Sequence, residues 1–143
     1  MSVEHILSEK GRQTITISGD RTLAEAVDML SRHRIGALVI VDEAGELRGI
    51  LSERDVVRAV AESGAGGLGD PVSTRMTTKV ATCSSSAGIG ELMSMMTDGK
   101  FRHIPVVEGG RLSGMVSIGD IVKHRLAEME AEHKALRDYI ATA

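Results

Sequence analysis

Apolar residues recur along the chain with two different periods, and the change of period predicts the secondary structure. Thr22 followed by Glu25 has the spacing of a helix-capping box. Apolar residues then recur at near-helical spacing up to Gly36, at Leu23, Val27, Leu30 and Ile35. The next two apolar runs, 37–41 and 47–51, flank a Gly-containing turn. This pattern predicts one helix followed by a β-hairpin.

The same order of elements is predicted a second time. A helix is expected after Ser52, with Val56, Val57 and Val60 on its buried side, and a Gly-rich stretch at 63–71 follows it. The second half then predicts a strand at 80–83, a helix at 88–97, strands at 103–107 and 112–116, and a long helix from Ile118.

Residue identities show that the two halves are copies of one unit. The stretch from Gly49 to Val57 and the stretch from Gly114 to Val122 share a glycine, two apolar residues, a serine, an aspartate and two β-branched residues, at identical spacing. Three further blocks match upstream in the same order. We therefore predict a mixed α/β (α+β) fold of two repeats related by a pseudo-twofold axis. The first repeat spans 10–64, the linker 65–78, the second repeat 79–128 and a C-terminal helical extension 129–143.

Composition excludes several classes of protein. The net charge of −3 and the presence of one Phe, one Tyr and no Trp argue against a nucleic-acid-binding protein. No signal peptide or membrane-spanning run is seen, so we expect a cytoplasmic protein with no membrane partner. The single cysteine, Cys83, lies in an apolar run and is expected to be inert. The five histidines show no metal-binding spacing, and no metal site is expected.

The repeated polar pairs Ser52/Asp55 and Ser117/Asp120 are the main candidates for chemistry. Each pair lies where a strand is predicted to end and a helix to begin, a position that favours anions. The serine could bind a phosphate and the aspartate could accept hydrogen bonds from the two hydroxyls of a ribose. The same spacing is also that of a capping box, and spacing alone leaves both interpretations open.

Basic residues accompany these pairs. Arg102 and His103 begin a predicted strand in the second copy, where the first copy has Gly36 and Ala37. An arginine fork and an imidazole suit a phosphate, although a solvated Arg beside a packed His is equally consistent with the pattern. Arg54 could also reach a phosphate, or could simply be an exposed residue at a helix start.

The chain resembles the CBS-domain (cystathionine-β-synthase-type) family. The resemblance rests on the block from Gly49 to Asp55, on the stretch from Phe101 to Val107, and on the block from Gly114 to Asp120, and it covers nearly the whole chain. It implies a β-α-β-β-α repeat and a cleft between paired repeats that binds adenosine-containing ligands, such as AMP, ADP, ATP, NAD(H) or S-adenosylmethionine.

The resemblance also implies roles for individual residues. It assigns the two aspartates to ribose, Ser52, Ser117, Arg102 and His103 to phosphate, and Thr16 and Thr82 to adenine. The expected binding residues are Thr16, Gly36, Ala37, Ser52, Arg54, Asp55, Thr82, Arg102, His103, Pro105, Ser117 and Asp120. Because the first copy lacks the Arg-His pair, the two clefts should differ.

Three functions remain open from the sequence. The favoured one is a non-catalytic regulatory module with no catalytic cofactor, whose occupancy by AMP, ADP, ATP or NAD(H) is read by a protein partner in trans. The others are a structural dimerisation unit without a ligand and, less favoured, a small nucleotide-acting enzyme. A heptad-like seam in the last helix favours a homodimer over packing on the module itself. It comprises Val122, Leu126, Met129, His133, Leu136 and Ile140.

Overall fold

The computed structural model describes residues 2–142 and contains six α-helices, one 3-10 helix and five strands within that range. The first half contains α1 (Val3–Lys10), β1 (Thr16–Ile17), α2 (Leu23–His33), β2 (Ala37–Val41), β3 (Leu47–Ser52) and α3 (Glu53–Ser63). The linker contains the 3-10 helix (Gly64–Gly69) and α4 (Val72–Arg75). The second half contains α5 (Ile89–Gly99), β4 (His103–Glu108), β5 (Arg111–Ser117) and α6 (Ile118–Thr142).

The first repeat is built on a three-stranded sheet of order β1-β2-β3. Strand β1 runs parallel to β2, and β2 and β3 form the predicted antiparallel hairpin. Helix α2 begins as its capping pattern predicts, because the Thr22 hydroxyl accepts a hydrogen bond from the Glu25 amide at 3.2 Å. A register shift at Ile40/Val41 recurs at Val106/Val107, so the two hairpins share even their irregularity.

The second repeat has a smaller sheet than the sequence predicts. Strands β4 and β5 pair as expected, but the strand predicted at 80–83 is wrong in extent, because only Cys83 forms a bridge, to Val106. In the first repeat the Val39 amide donates to the Ile15 carbonyl at 3.5 Å, next to β1. The corresponding residue of the second repeat, Pro105, has no amide hydrogen to donate to Ala81, so the ladder does not continue from Cys83 into residues 80–82.

Two short helices cross over and complete the opposite repeat. Helix α1 precedes the first repeat, yet its Val3, Ile6 and Leu7 are buried in the core of the second repeat. Helix α4 precedes the second repeat, yet its Val72 belongs to the core of the first. The two helices are attached by corresponding hydrogen bonds. The Val3 amide donates to the Ala87 carbonyl at 2.9 Å, and the Val72 amide donates to the Arg21 carbonyl at 2.7 Å. Each apolar core is thus closed by a segment from outside its own repeat.

The repeated glycines mark where these crossing segments approach the sheets. A side chain at Gly114 would place its Cβ 2.8 Å from Leu7 Cδ2, and one at Gly49 would place it 2.7 Å from Met76 Sδ and 2.9 Å from the Thr77 carbonyl oxygen. Both distances are shorter than normal carbon contacts. Glycine is therefore favoured in each copy, and more strongly at Gly49, because the crossing segment packs directly on the strand.

Helix α3 presents a different face to the core from the one predicted. Val56 packs on the core and Ala59 is fully buried, but Val57 and Val60 are 67% and 40% exposed. The prediction for these two valines was wrong because Asp55 and Ala59 occupy the inward face of the helix.

The C-terminal half of α6 is exposed in the chain, from Met129 to Thr142. Among residues 2–142, no helix combines the length and the apolar character that crossing a bilayer requires.

Candidate functional site

The first Ser/Asp pair forms a capping box at the start of α3. The Ser52 amide donates to Asp55 Oδ2 at 2.9 Å, and the Asp55 amide donates to Ser52 Oγ at 3.4 Å. The other carboxylate oxygen of Asp55 accepts from the Thr77 hydroxyl at 3.3 Å and faces Arg58 at 3.7 Å. Asp55 is only 7% exposed. Both of its oxygens therefore have partners within the protein.

The second pair repeats this geometry with a different third partner. The Ser117 amide donates to Asp120 Oδ2 at 2.8 Å, and the Asp120 amide donates to Ser117 Oγ at 3.2 Å. Lys10, at the end of the crossing helix α1, donates to the same Oδ2 at 2.7 Å and to the Met115 carbonyl at 2.8 Å. Within the described part of the chain, Asp120 Oδ1 accepts no hydrogen bond, so it remains available to a ligand.

The partners of Asp120 also affect its pKa. Burial would raise the pKa of Asp120, but the hydrogen bonds from Lys10 and from the Ser117 amide outweigh burial, and the pKa lies below the ordinary aspartate value. Asp120 is therefore an anion at neutral pH with one oxygen open. Both pairs make the capping hydrogen bonds, and among the described residues Asp120 Oδ1 is the one oxygen of the two carboxylates that accepts no hydrogen bond.

The two repeats meet where β2 and β4 begin. His103 lies against Gly36, whose Cβ, were it present, would stand 3.3 Å from the imidazole Cε1. Ala37 pairs with Ser52 in the first sheet, and His103 pairs with Ser117 in the second, which confirms that the two positions correspond. The absence of a side chain at Gly36 is what admits the His103 ring to this junction.

The junction combines neutral, cationic and anionic groups, since Glu53 Oε1 would stand 3.4 Å from a Cβ at Gly36. Burial, followed by repulsion from Lys10, lowers the pKa of His103, so the ring is neutral at pH 7. Arg102 is exposed beside it, and its carbonyl accepts from the Ile118 amide at 2.8 Å. Arg54 crosses between the repeats, with a guanidinium nitrogen 3.5 Å from the Lys100 carbonyl oxygen. The positive charges at and next to the junction are therefore those of Arg54, Arg102 and Lys10.

Three residues of the expected set lie apart from this junction. Thr16 pairs with Val39 and lines an open groove of about 1230 Å³ on the first repeat, whose walls include neither Ser52 nor Asp55. Thr82 is exposed next to the Cys83 bridge. Pro105 is buried within β4, opposite Met115. The remaining nine expected residues lie at the two helix starts and at the junction between the repeats.

Comparison with known proteins decides the family. Residues 3–62 and 72–127 match the CBS domain family, one domain per repeat. The chain is 33% identical to the CBS domain-containing protein CBSX3, mitochondrial, of Arabidopsis thaliana, over 97% of this chain and 71% of that protein. The chain belongs to the CBS domain family. It is a tandem CBS pair, a type of module that is generally regulatory.

Solved CBS structures share the fold. The CBS-domain-containing protein ATU1752 of Agrobacterium tumefaciens is 46% identical, with a TM-score of 0.84 over 87% of this chain and 92% of that chain. The CBS domain pair of protein MJ0100, solved in complex with 5′-methylthioadenosine and S-adenosyl-L-methionine, is 27% identical, with a TM-score of 0.80 over 90% of this chain and 98% of that chain.

The structure adds two residues of the CBS pair that sequence reasoning missed. Lys10 is the last residue of the crossing helix α1 and Thr77 follows α4, and each contacts the aspartate of the repeat that its helix completes. The apolar residues Val3, Ile6 and Leu7 before the first repeat, and Val72 before the second, were the available signal. Each family match begins at one of these segments, at residues 3 and 72.

Proposed function

We propose that this CBS pair is a non-catalytic regulatory module that binds an adenosine-containing ligand, of the class of AMP, ADP, ATP or NAD(H), between its repeats. The observation that carries the proposal is the anionic Asp120, held at the start of α6 with Oδ1 open, where the Ile118 amide also donates to the Arg102 carbonyl. The adenosine compounds bound by the MJ0100 CBS pair support the choice of ligand class.

Asp120 suits a ribose better than Asp55 does. A carboxylate oxygen without a partner can accept a hydrogen bond from a sugar hydroxyl, and such charge-assisted bonds are among the stronger ones in proteins. Asp55 would first have to release Thr77, and its carboxylate is nearly buried. We therefore expect the second cleft to bind the ligand more tightly than the first.

The basic groups suit the phosphate end of such a ligand. Arg102 can offer two parallel donors, and Lys10 keeps a positive charge within reach of Asp120. The neutral His103 adds a donor and no charge, and an approaching phosphate would favour its protonation. Occupancy would draw on groups from both repeats, and a change in their relative placement could be read by a protein partner in trans.

The geometry favours regulation over catalysis. An enzyme acting on a nucleotide needs an activated nucleophile or a positioned general base, and His103 is the one candidate that the sequence offers. The serine hydroxyls at the helix starts accept hydrogen bonds from their own helices, and no hydrogen bond joins either of them to His103 in the described part of the chain. A structural unit without a ligand is the other alternative, and it predicts no saturable binding at all.

Calorimetry with AMP, ATP and NADH tests the proposal. Wild-type protein should bind at least one of these ligands saturably, without any new product by chromatography. Asp120→Asn should weaken binding at least about tenfold, as the loss of a charge-assisted bond implies. Asp98→Asn, at an exposed residue of α5, is the matched control and should bind as wild type does. Binding that is unchanged in Asp120→Asn would refute the ribose role, and binding to no adenosine compound would favour the structural unit.

We further propose that α6 mediates a homodimer. The apolar residues predicted to form a seam are exposed rather than packed on the module, with Leu126 and Ile140 at 53% and 64% exposure. They recur at heptad-like spacing along a helix of 25 residues, which suits a second copy of the same helix. Sedimentation should give a dimer for the wild type and a monomer for Leu126→Glu, whereas a wild-type monomer at high concentration would exclude this arrangement.

A further inference from the structure

Two histidines from opposite ends of the chain meet between α1 and α6. The ring centroids of His5 and His124 lie 5.1 Å apart, with the ring planes at 72°. Glu9, one turn beyond His5 on α1, places Oε1 3.2 Å from His5 Nε2. The residues are far apart in sequence, so spacing along the chain could not reveal the cluster.

The three side chains offer a compact set of ligand atoms. One atom each from His5, Glu9 and His124 lies within 4.8 Å of the others. The cluster borders a cleft of about 530 Å³ whose walls also include Lys10 and Lys123. The charge of Lys10 is already matched by Asp120 at 2.7 Å, and Lys123 is exposed at the rim. Repulsion of an incoming cation is therefore small, because the charge of Lys10 is balanced by Asp120 and the charge of Lys123 is exposed to water.

His124 supplies an independent sign that a partner is missing. The residue is 7% exposed, and its Nε2 is buried without a hydrogen-bond partner in the described part of the chain. The nearest acceptor, Glu128 Oε1, lies 3.3 Å away but does not complete a hydrogen bond. A buried polar atom left in this state costs about 1–3 kcal/mol. A metal ion would use the nitrogen lone pair and remove that cost.

We propose that His5, Glu9 and His124 bind a divalent transition-metal ion of the Zn²⁺ class. Two imidazole nitrogens and one carboxylate are a ligand set that zinc accepts, whereas Mg²⁺ and Ca²⁺ prefer oxygen ligands throughout. Water or Glu128 would fill the fourth position. The ion would fasten α1 to α6 and so hold Lys10, on the same helix, against Asp120. The proposal does not depend on nucleotide binding.

Titration of the full chain with ZnCl₂ tests the site, after removal of metal with a chelator and exchange into metal-free buffer. A competing chromophoric chelator should report one tight Zn²⁺ per chain, and the melting temperature should rise with Zn²⁺ but not with Mg²⁺. His5→Gln and Glu9→Gln change partly exposed side chains and should each weaken Zn²⁺ binding at least about tenfold. His33→Gln is the matched control, because His33 is an exposed residue at the end of α2 and lies outside both the cluster and the α6 seam.

Cobalt gives a second readout that a purely structural effect would not produce. The Co²⁺-loaded wild type should show visible absorption bands of a site with nitrogen and oxygen ligands, and His124→Gln should lose them. If His124→Gln does not fold, His5→Gln and Glu9→Gln decide the question. The proposal is overturned if the wild type takes up no stoichiometric Zn²⁺, or if His5→Gln binds Zn²⁺ as tightly as His33→Gln.

Discussion

The packing of crossing helices on repeat glycines gives the sharpest test of this fold. In Gly114→Ala the new methyl group would stand 2.8 Å from Leu7 Cδ2 and 3.2 Å from Cδ1, so the end of the leucine side chain must move. Overpacking of this kind costs about 1–3 kcal/mol. Because the clash is with the end of a flexible side chain, we expect a value near the lower limit of that range.

Gly49→Ala should cost more than Gly114→Ala. Its methyl group would meet the Thr77 carbonyl oxygen at 2.9 Å as well as Met76 Sδ. That carbonyl accepts a hydrogen bond from the Ile50 amide at 3.0 Å, and the Thr77 amide donates back to Ile50 at 2.9 Å. The backbone cannot retreat without breaking this pair, so we expect about 3 kcal/mol or more.

A double mutant isolates the contact between the crossing helix and the strand. Leu7→Ala alone should cost about 2–5 kcal/mol because Leu7 is buried in the second core. In the Gly114→Ala background the cost should be smaller by about 0.5–3 kcal/mol, since the added methyl group partly fills the space that Leu7 leaves. Urea unfolding followed by circular dichroism is the assay, because the chain has no Trp. If the two changes are additive, or if Gly114→Ala is as stable as wild type, the packing described here is incorrect.

Three further predictions concern single residues. Gly90→Ala should stabilise the protein by up to about 1 kcal/mol, measured as a higher urea midpoint, because no atom lies near the new methyl group and alanine favours the helix. Burial, followed by the charges of nearby glutamates, raises the pKa of Cys83 to about 11, so its reaction with a disulfide reagent at pH 8 should be about two orders of magnitude slower than that of a free cysteine; a fast reaction would contradict this. Because its folded pKa is lowered, ionised Asp120 stabilises the fold above its unfolded pKa of about 4, and this stabilisation is lost as pH falls through the lower folded value. Lys10→Met should therefore shift the carboxyl titration of Asp120, followed by NMR, to higher pH; an unshifted titration would show that the ion pair is unimportant.

Local patterns predicted much of the fold. Patterns among residues a few positions apart predicted the two hairpins, the helices α2 and α5, and the capping bonds at helix starts. Such signals gave correct elements because hydrogen bonding within a turn or a helix depends on neighbours in sequence. The exposed valines Val57 and Val60 show the limit, since spacing does not say which face of a helix meets the core.

The order of residues alone shows that two copies of one unit are joined in this chain and that each carries a serine and an aspartate at a predicted helix start. Which oxygens of those aspartates stay open depends on long-range contacts, because Lys10 and Thr77 come from segments outside the repeats that they contact. It also brought His5 to His124 through the crossing of α1. These contacts join residues that are distant along the chain, so they form only when α1 packs on the second repeat and α4 packs on the first.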